Sequence, residues 1–252
     1  MLGSLVFASA LLFTQSPPAF EVATIKPTPP DYRARFMTMQ GGHQFVAKGY
    51  TVRFLISAAY NLPTKAIIGG PDWIDAERFD IQAATPGEMR PTPDEQMAMV
   101  RTLLADRFKF TFHKEPKDLA VYVLTTTNRG AKLKSSETPD AQPAIVSTVY
   151  PGDRIFLPAR NATMTQFAST LQRAILDRPV LDKTGLSGVY DFDLEWTYDD
   201  TQFGGNLPPL APQTSNKPDL YAALQQLGLK LESSRGTIDA IVIDGIQRAS
   251  EN

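Results

Sequence analysis

Asp191, Asp193 and Glu195 alternate along residues 189–196. In an extended strand, side chains two apart stand on one face, so three carboxylates would be gathered there. A trio of that kind suits a hard cation such as calcium. Two of its members, Asp191 and Asp193, could serve a hydrolase acting on envelope polymers if they converged across a cleft as acid and base. The plainer reading is a solvated strand face, because the intervening Tyr190, Phe192, Leu194 and Trp196 form an apolar opposite face. Trp73, after Gly69-Gly70-Pro71-Asp72, is the other candidate. An exposed aromatic there would stack on a sugar or anchor a partner, while a packed one would cover its own sheet. Trp73, Asp191, Asp193 and Glu195 are therefore the candidate binding residues.

The remaining chemistry is thin. His43 and His113 are the two histidines, with no ligand-like spacing and no His-Glu-x-x-His motif. There is no Gly-x-Ser-x-Gly elbow and no phosphate-cradling glycine loop. Gly185-Leu186-Ser187-Gly188 reads as a turn before a buried strand, and Asp182-Lys183-Thr184 lacks the domain that would make it a phosphorylation loop. No catalytic residue, metal ligand or cofactor is assigned.

These residues must be positioned by a chain of 252 residues that is 42% hydrophobic and 21% charged, the composition of a folded globular protein. A net charge of −2 gives no basic footprint for nucleic acid. The absence of cysteine removes disulfides and thiolate chemistry. The apolar run 5–13 is too short to span a membrane and has the size of a signal-peptide core, although no Lys or Arg precedes it. Residues 1–16 are read as a signal peptide, which places the protein outside the cytoplasm, in the periplasm or beyond.

Strand-like alternation predicts strands over 20–26, 44–47, 67–68, 78–83, 154–157, 179–181 and 189–196. Helices are predicted over 51–60, from Thr92 to about Leu104, from Thr163 through Leu171, and over 219–227. Thr92-Pro93-Asp94-Glu95 and Thr163-Met164-Thr165-Gln166 read as capping boxes. Residues 108–112 alternate with three phenylalanines on one face, and 119–125 is predicted to return as a hairpin partner. A second hairpin is predicted from 229–232 and 237–244 around Ser233 to Gly236.

The order of elements repeats. Ala47-Lys48-Gly49-Tyr50-Thr51-Val52 is echoed by Ala159-Arg160-Asn161-Ala162-Thr163-Met164, and Phe79-Asp80-Ile81-Gln82 by Tyr190-Asp191-Phe192-Asp193. Arg107 to Phe110 returns as Gly228 to Leu231, and Ala120 to Val123 as Ala240 to Ile243, at spacings of 112, 111, 121 and 120. The fold class expected is α+β, as two tandem related modules, each a small mixed or antiparallel sheet with two packed helices. The first module is assigned to 17–134, a connector to 135–152, and the second module to 153–252 with a long loop at 199–217.

Phe20-Glu21-Val22-Ala23-Thr24-Ile25-Lys26-Pro27, Gly69-Gly70-Pro71-Asp72-Trp73, Leu103 to Phe110 and Asp182 to Phe192 together carry a family resemblance. The chain resembles a soil-associated family of exported bacterial proteins whose domain is also fused to BlaR1-type M56 metallopeptidases. That resemblance implies no activity and no catalytic residues. The element order is also similar to the short N-terminal domain of secretins and TonB-dependent receptors, periplasmic modules that bind protein partners. The function expected is a non-catalytic module that binds a protein, peptide or cell-envelope component, with no nucleic acid and no membrane span in the mature chain. The alternatives are the hydrolase and a sensory domain linked to a membrane protease.

Overall fold

A computed structural model describes residues 17–32, 34–146, 148–150, 154–205 and 217–249. The signal-peptide assignment at 1–16 and the stretch 206–216 of the long loop lie outside the described residues. The fold is mixed α+β, and no described helix is long and apolar enough to cross a membrane.

The first sheet holds β1 (Val22–Pro27), β2 (Phe36–Gln40), β3 (Gln44–Thr51) and, later in the chain, Arg78–Ala84, in the spatial order β1, Arg78–Ala84, β3, β2. Thr51 ends β3 and caps α1 (Val52–Tyr60), its Oγ1 accepting from the Phe54 N–H at 3.3 Å. The inward stripe Val52, Leu55, Ile56 and Ala59 is buried as its spacing predicts. A short β4 (Ile67–Ile68), a single-turn α2 (Trp73–Ala76) and β5 (Arg78–Ala84) follow. The long α3 (Pro93–Phe108) opens with the complete Thr92–Glu95 capping box.

Sequence reading runs a strand through Phe108. Instead Phe108 is the last residue of α3, and Lys109 caps it with φ 51°. Phe108 and Phe110 are both buried in the first core, with Phe112 packed beside it. The helix keeps Phe108 because Val100, Leu103, Leu104 and Phe108 form one helical stripe buried in the first core, where Phe108 meets Phe79 of β5 edge-on at 5.6 Å.

Beyond it, β6 (Thr111–Thr126) is one continuous strand, where a hairpin is expected. The second half of the chain adds β7 (Lys134–Ser135), β8 (Ala144–Ile145), β9 (Thr148–Tyr150), β10 (Arg154–Ala162), α4 (Met164–Thr170), β11 (Val180–Asp182), β12 (Tyr190–Thr197), α5 (Leu220–Gln226) and β13 (Leu229–Gly245). A π-helical turn, Leu171–Ile175, extends α4. Its capping box at Thr163 and Gln166 is present, and the apolar face Phe192, Leu194, Trp196 of β12 is buried. The segment read as a connector is built into the second sheet, since β7 pairs with β12 while β8 and β9 pair with β10.

The second expected hairpin is also absent, for β13 too is a single strand. β6 and β13 pair with each other, antiparallel, from Thr111 opposite Gly245 to Thr126 opposite Leu229. At about 3.3 Å per residue this two-stranded ribbon is about 50 Å long. The turn-like residues have other duties. Gly236 faces Leu119, and a Cβ there would lie 2.9 Å from Leu181 Cδ1 and 3.2 Å from Val121 Cγ2. Pro116 is tolerated because β6 meets β11 on its other side at Tyr122 to Leu124 and not at Pro116.

The ribbon serves two separate cores. The first gathers β1, β3, β5, α1 and α3 with Phe110 from just before β6 and Ile241 from the end of β13. The second gathers β10, β12, α4 and α5 with Tyr122 and Leu124 from the end of β6, and Leu229 and Leu231 from the start of β13. Parallel pairing closes both ends: β4 lies along β13 at Ile241 and Val242, and β11 along β6 at Tyr122 to Leu124. Ile241 is fully buried in a core built mostly from residues far earlier in the chain. Ile241→Ala is expected to destabilise the protein by about 2–5 kcal/mol, read as a lower urea midpoint with unchanged slope.

Candidate functional site

The acidic face of β12 is built around a β-bulge. Against β12, β10 shifts register between Ala159 and Ala162, and the chain passes through Asn161 at φ 52°. A bulge leaves a backbone N–H without its ladder partner. Asp191 supplies one, accepting the Asn161 N–H at 2.7 Å. The Asn161 side chain in turn donates to the carbonyls of Pro139 and Ala141. The hydrogen bond from the Asn161 backbone, aided by Ser136 and by the charges of Arg160 and Lys134, holds the Asp191 carboxyl below its ordinary range.

The same device stands in the first sheet. There β3 shifts register against β5 between Ala47 and Tyr50, with Gly49 at φ 69°. Asp80 accepts the Gly49 N–H at 3.0 Å and the Thr28 hydroxyl at 2.7 Å. Gly49 is required on a second count, because a Cβ would fall 2.3 Å from both the Ala34 carbonyl oxygen and Arg78 Nη2.

The other two acids are neutralised by cations. Asp193 pairs with Arg160 at 2.7 Å, and Glu195 with both Arg154 and Lys217 at 2.9 Å. The Lys217 hydrogen bond leads the effects that lower the Glu195 carboxyl. Asp191 and Glu195, both held below the ordinary carboxylate range, are shifted in the direction opposite to that of a general acid. Among the described residues no group of three or more His, Asp or Glu is arranged to hold a metal ion.

Trp73 is half-buried, edge-on to Phe79 at 6.5 Å, and covered by the Arg248 guanidinium 5.1 Å from its ring centroid. Arg248 is also held to Glu77 at 2.7 Å, and the Gln247 N–H donates to the Phe108 carbonyl at 2.7 Å. The segment after β13 thus lies across Trp73 as part of the first core's packing. Gly70, at φ 86°, lets the turn before α2 pack closely on β13: a Cβ would meet Ile74 Cδ1 at 2.6 Å and Ile243 Cδ1 at 3.0 Å.

His43 is exposed, with Nδ1 3.1 Å from the Gly41 carbonyl, and His113 pairs across the ribbon with Asp244 at 2.8 Å. Asp182 accepts the Thr184 N–H and hydroxyl at 3.0 and 2.8 Å and the Thr165 hydroxyl at 3.2 Å, which ties its turn to α4. The structure therefore does not bring Trp73 to the acidic strand. Each candidate is engaged where it stands.

A cleft between the two cores is the feature that no local motif announces. It has a volume of about 340 Å³ and is lined by Tyr60 and Leu62 from the end of α1, Gln172, Pro179 and Leu181 from the second core's edge, and Lys114, Thr237, Ile238 and Asp239 from the ribbon. Lys65 and Asp177 bridge the two cores at 2.6 Å, and Gln172 donates to the Asn61 carbonyl at 2.6 Å. The other end of the Gln172 amide accepts the Val180 N–H at 3.0 Å. Clefts where two packed bodies meet are a common place for small-ligand sites. These residues run from Tyr60 to Asp239 along the chain, and the ribbon together with the Lys65–Asp177 and Gln172–Asn61 contacts juxtaposes them.

The chain belongs to the family described as Protein of unknown function (DUF3738), matched over residues 53–246. That match begins in α1 and ends just past β13, so it takes in the second core, the whole ribbon and the part of the first core that follows β3, and leaves out β1, β2 and β3. No curated protein and no solved structure matches the chain.

Asp191 and Glu195 both have lower pKa values folded than unfolded, so the unfolded chain binds more protons as pH falls. Their stabilisation is complete above the ordinary carboxylate range and is lost as pH drops below about 4.5. A double variant Asp191→Asn/Glu195→Gln is expected to show a shallower acid-side fall in urea midpoint than the native protein, measured across a pH series.

Proposed function

We propose that this protein is an exported, non-catalytic binding module whose partner is a protein or peptide of the cell envelope. The observation that carries this reading is the open edge of the first sheet. There β2 pairs on one side with β3, and among the described residues no strand pairs with its other side. An open edge offers backbone N–H and C=O groups to an incoming strand. Along β2 the residues alternate, with Phe36, Thr38 and Gln40 exposed and Met37 and Met39 packed against the core. Phe36 is 39% exposed, and nearby the Arg35 guanidinium lies 3.8 Å over Phe54. Apolar and cationic groups beside a free edge favour an extended partner with apolar and acidic side chains. The apolar run 5–13 and the resemblance to exported soil-associated proteins support the location.

The two cores are best read as copies of one duplicated unit. In each, a bulge with a left-handed residue is locked by an aspartate, a threonine then caps the next helix, and a short strand follows in parallel pairing with the ribbon. The repeat in sequence falls on these same features. On this reading the copies have exchanged the ends of their long strands, and specificity resides where they differ, at β2, the Trp73 turn and the loop after β12.

A double substitution Phe36→Lys/Thr38→Lys places like charges on the β2 edge without touching either core. Crosslinked pull-downs from envelope extract are expected to recover the partner with the native protein and to lose about tenfold of it with the variant, at an unchanged urea midpoint. Equal recovery by both proteins would remove the edge as the contact.

A further inference from the structure

We propose that the cleft between the two cores binds a short zwitterionic peptide of dipeptide size, its free ammonium on Asp239 and its free carboxylate on Lys114. This rests on the reading of the protein as a binding module and names a second, smaller ligand site within it. The ribbon's register sets Asp239 opposite Pro116 and Lys114 opposite Ile241. The two charged residues are thus diagonal neighbours on one face, with Cβ atoms about 7 Å apart.

Their neighbours are all engaged. Lys65 pairs with Asp177, Lys117 with Glu115 and His113 with Asp244, while Asp118 accepts the Thr237 hydroxyl at 2.6 Å. Gln172 is used at both ends of its amide. Lys114 and Asp239 enter no ion pair and no side-chain hydrogen bond among the described residues, with each other or with any group. The cleft therefore presents one cation and one anion, both unspent, beside an apolar lining of Tyr60, Leu62, Pro179 and Leu181.

That combination selects its ligand. A simple anion would meet Lys114 but be repelled by Asp239, and a simple cation would meet the reverse. A molecule carrying both charges a few ångströms apart, with an apolar side chain between them, satisfies both and covers the lining. The volume of about 340 Å³ lies at the small end of ligand sites, which fits a dipeptide and excludes a folded partner. Capping either terminus leaves one charged group of the cleft without its partner in the complex, and charge-assisted hydrogen bonds are the stronger ones.

The test is calorimetric titration of the full chain with a panel of apolar dipeptides led by leucyl-leucine, beside the same peptides N-acetylated or C-amidated. Saturable binding of at least one free dipeptide is expected, with about tenfold weaker binding of either capped form. Lys114→Gln and Asp239→Asn are each expected to weaken the free dipeptide by a similar factor. Absence of saturable binding across the panel, or equal affinity for free and capped forms, overturns the proposal. The capped comparison uses native protein, so it decides the matter even if a variant fails to fold. Dipeptide binding that fails while β2-dependent partner capture persists removes the cleft alone; the converse removes the edge alone.

Discussion

Everything else in this molecule depends on the antiparallel pairing of β6 with β13. Each strand begins in one hydrophobic core and ends in the other, so neither core is complete without both. The pairing joins residues separated in the chain by roughly half its length. Such contacts must overcome loop-closure entropy before they stabilise anything. What stabilises them is burial at the two ends, where Phe110 and Ile241 enter one core and Leu124, Leu229 and Leu231 the other. The middle of the ribbon is largely exposed, and there the cleft forms. A single physical constraint thus sets both the architecture and the location of the space between the cores.

The acids of β12 illustrate how the same residue types divide between support and recognition. Asp191 holds a bulge amide, Asp193 and Glu195 hold cations, and the parallel role of Asp80 in the first sheet shows that the bulge lock is a repeated structural device. Lys114 and Asp239 carry the same kinds of charge but have no ion-pair partner among the described residues, and they line a concavity. The difference is one of satisfaction rather than of residue type. Charged groups with internal partners stabilise the fold, and those without remain available to a ligand.

Much of the fold was legible in the sequence because local chemistry decides it. The Thr92–Glu95 and Thr163–Gln166 boxes mark real helix starts, and the alternation of Tyr190, Phe192, Leu194 and Trp196 marks a real strand with its inner face correctly assigned. The echo of Gly49 in Asn161 corresponds to two bulges with positive φ. The ribbon was not legible. Pro116 and Gly236 carry turn chemistry, and a turn is what local propensity predicts at both places. Tertiary contacts decided otherwise: Gly236 makes room for Leu181 and Val121, and Pro116 lies where β6 has no second neighbour among the described strands. The short β2 edge and the single turn of α2 were missed because five and four residues give too little periodicity to read. The cleft could not be found at all, since its lining is assembled from segments that share no motif.

Native-state hydrogen exchange under increasing denaturant tests most directly the claim that one ribbon unites both cores. The amides of Phe112 to Lys114 with Ile241 to Ile243, at one end, and of Tyr122 to Leu124 with Leu231 to Ser233, at the other, report on the two cores separately. If the ribbon couples them, both sets converge on one opening free energy equal to that of global unfolding. Two distinct opening free energies, with one end exchanging while the other stays protected, would contradict the account.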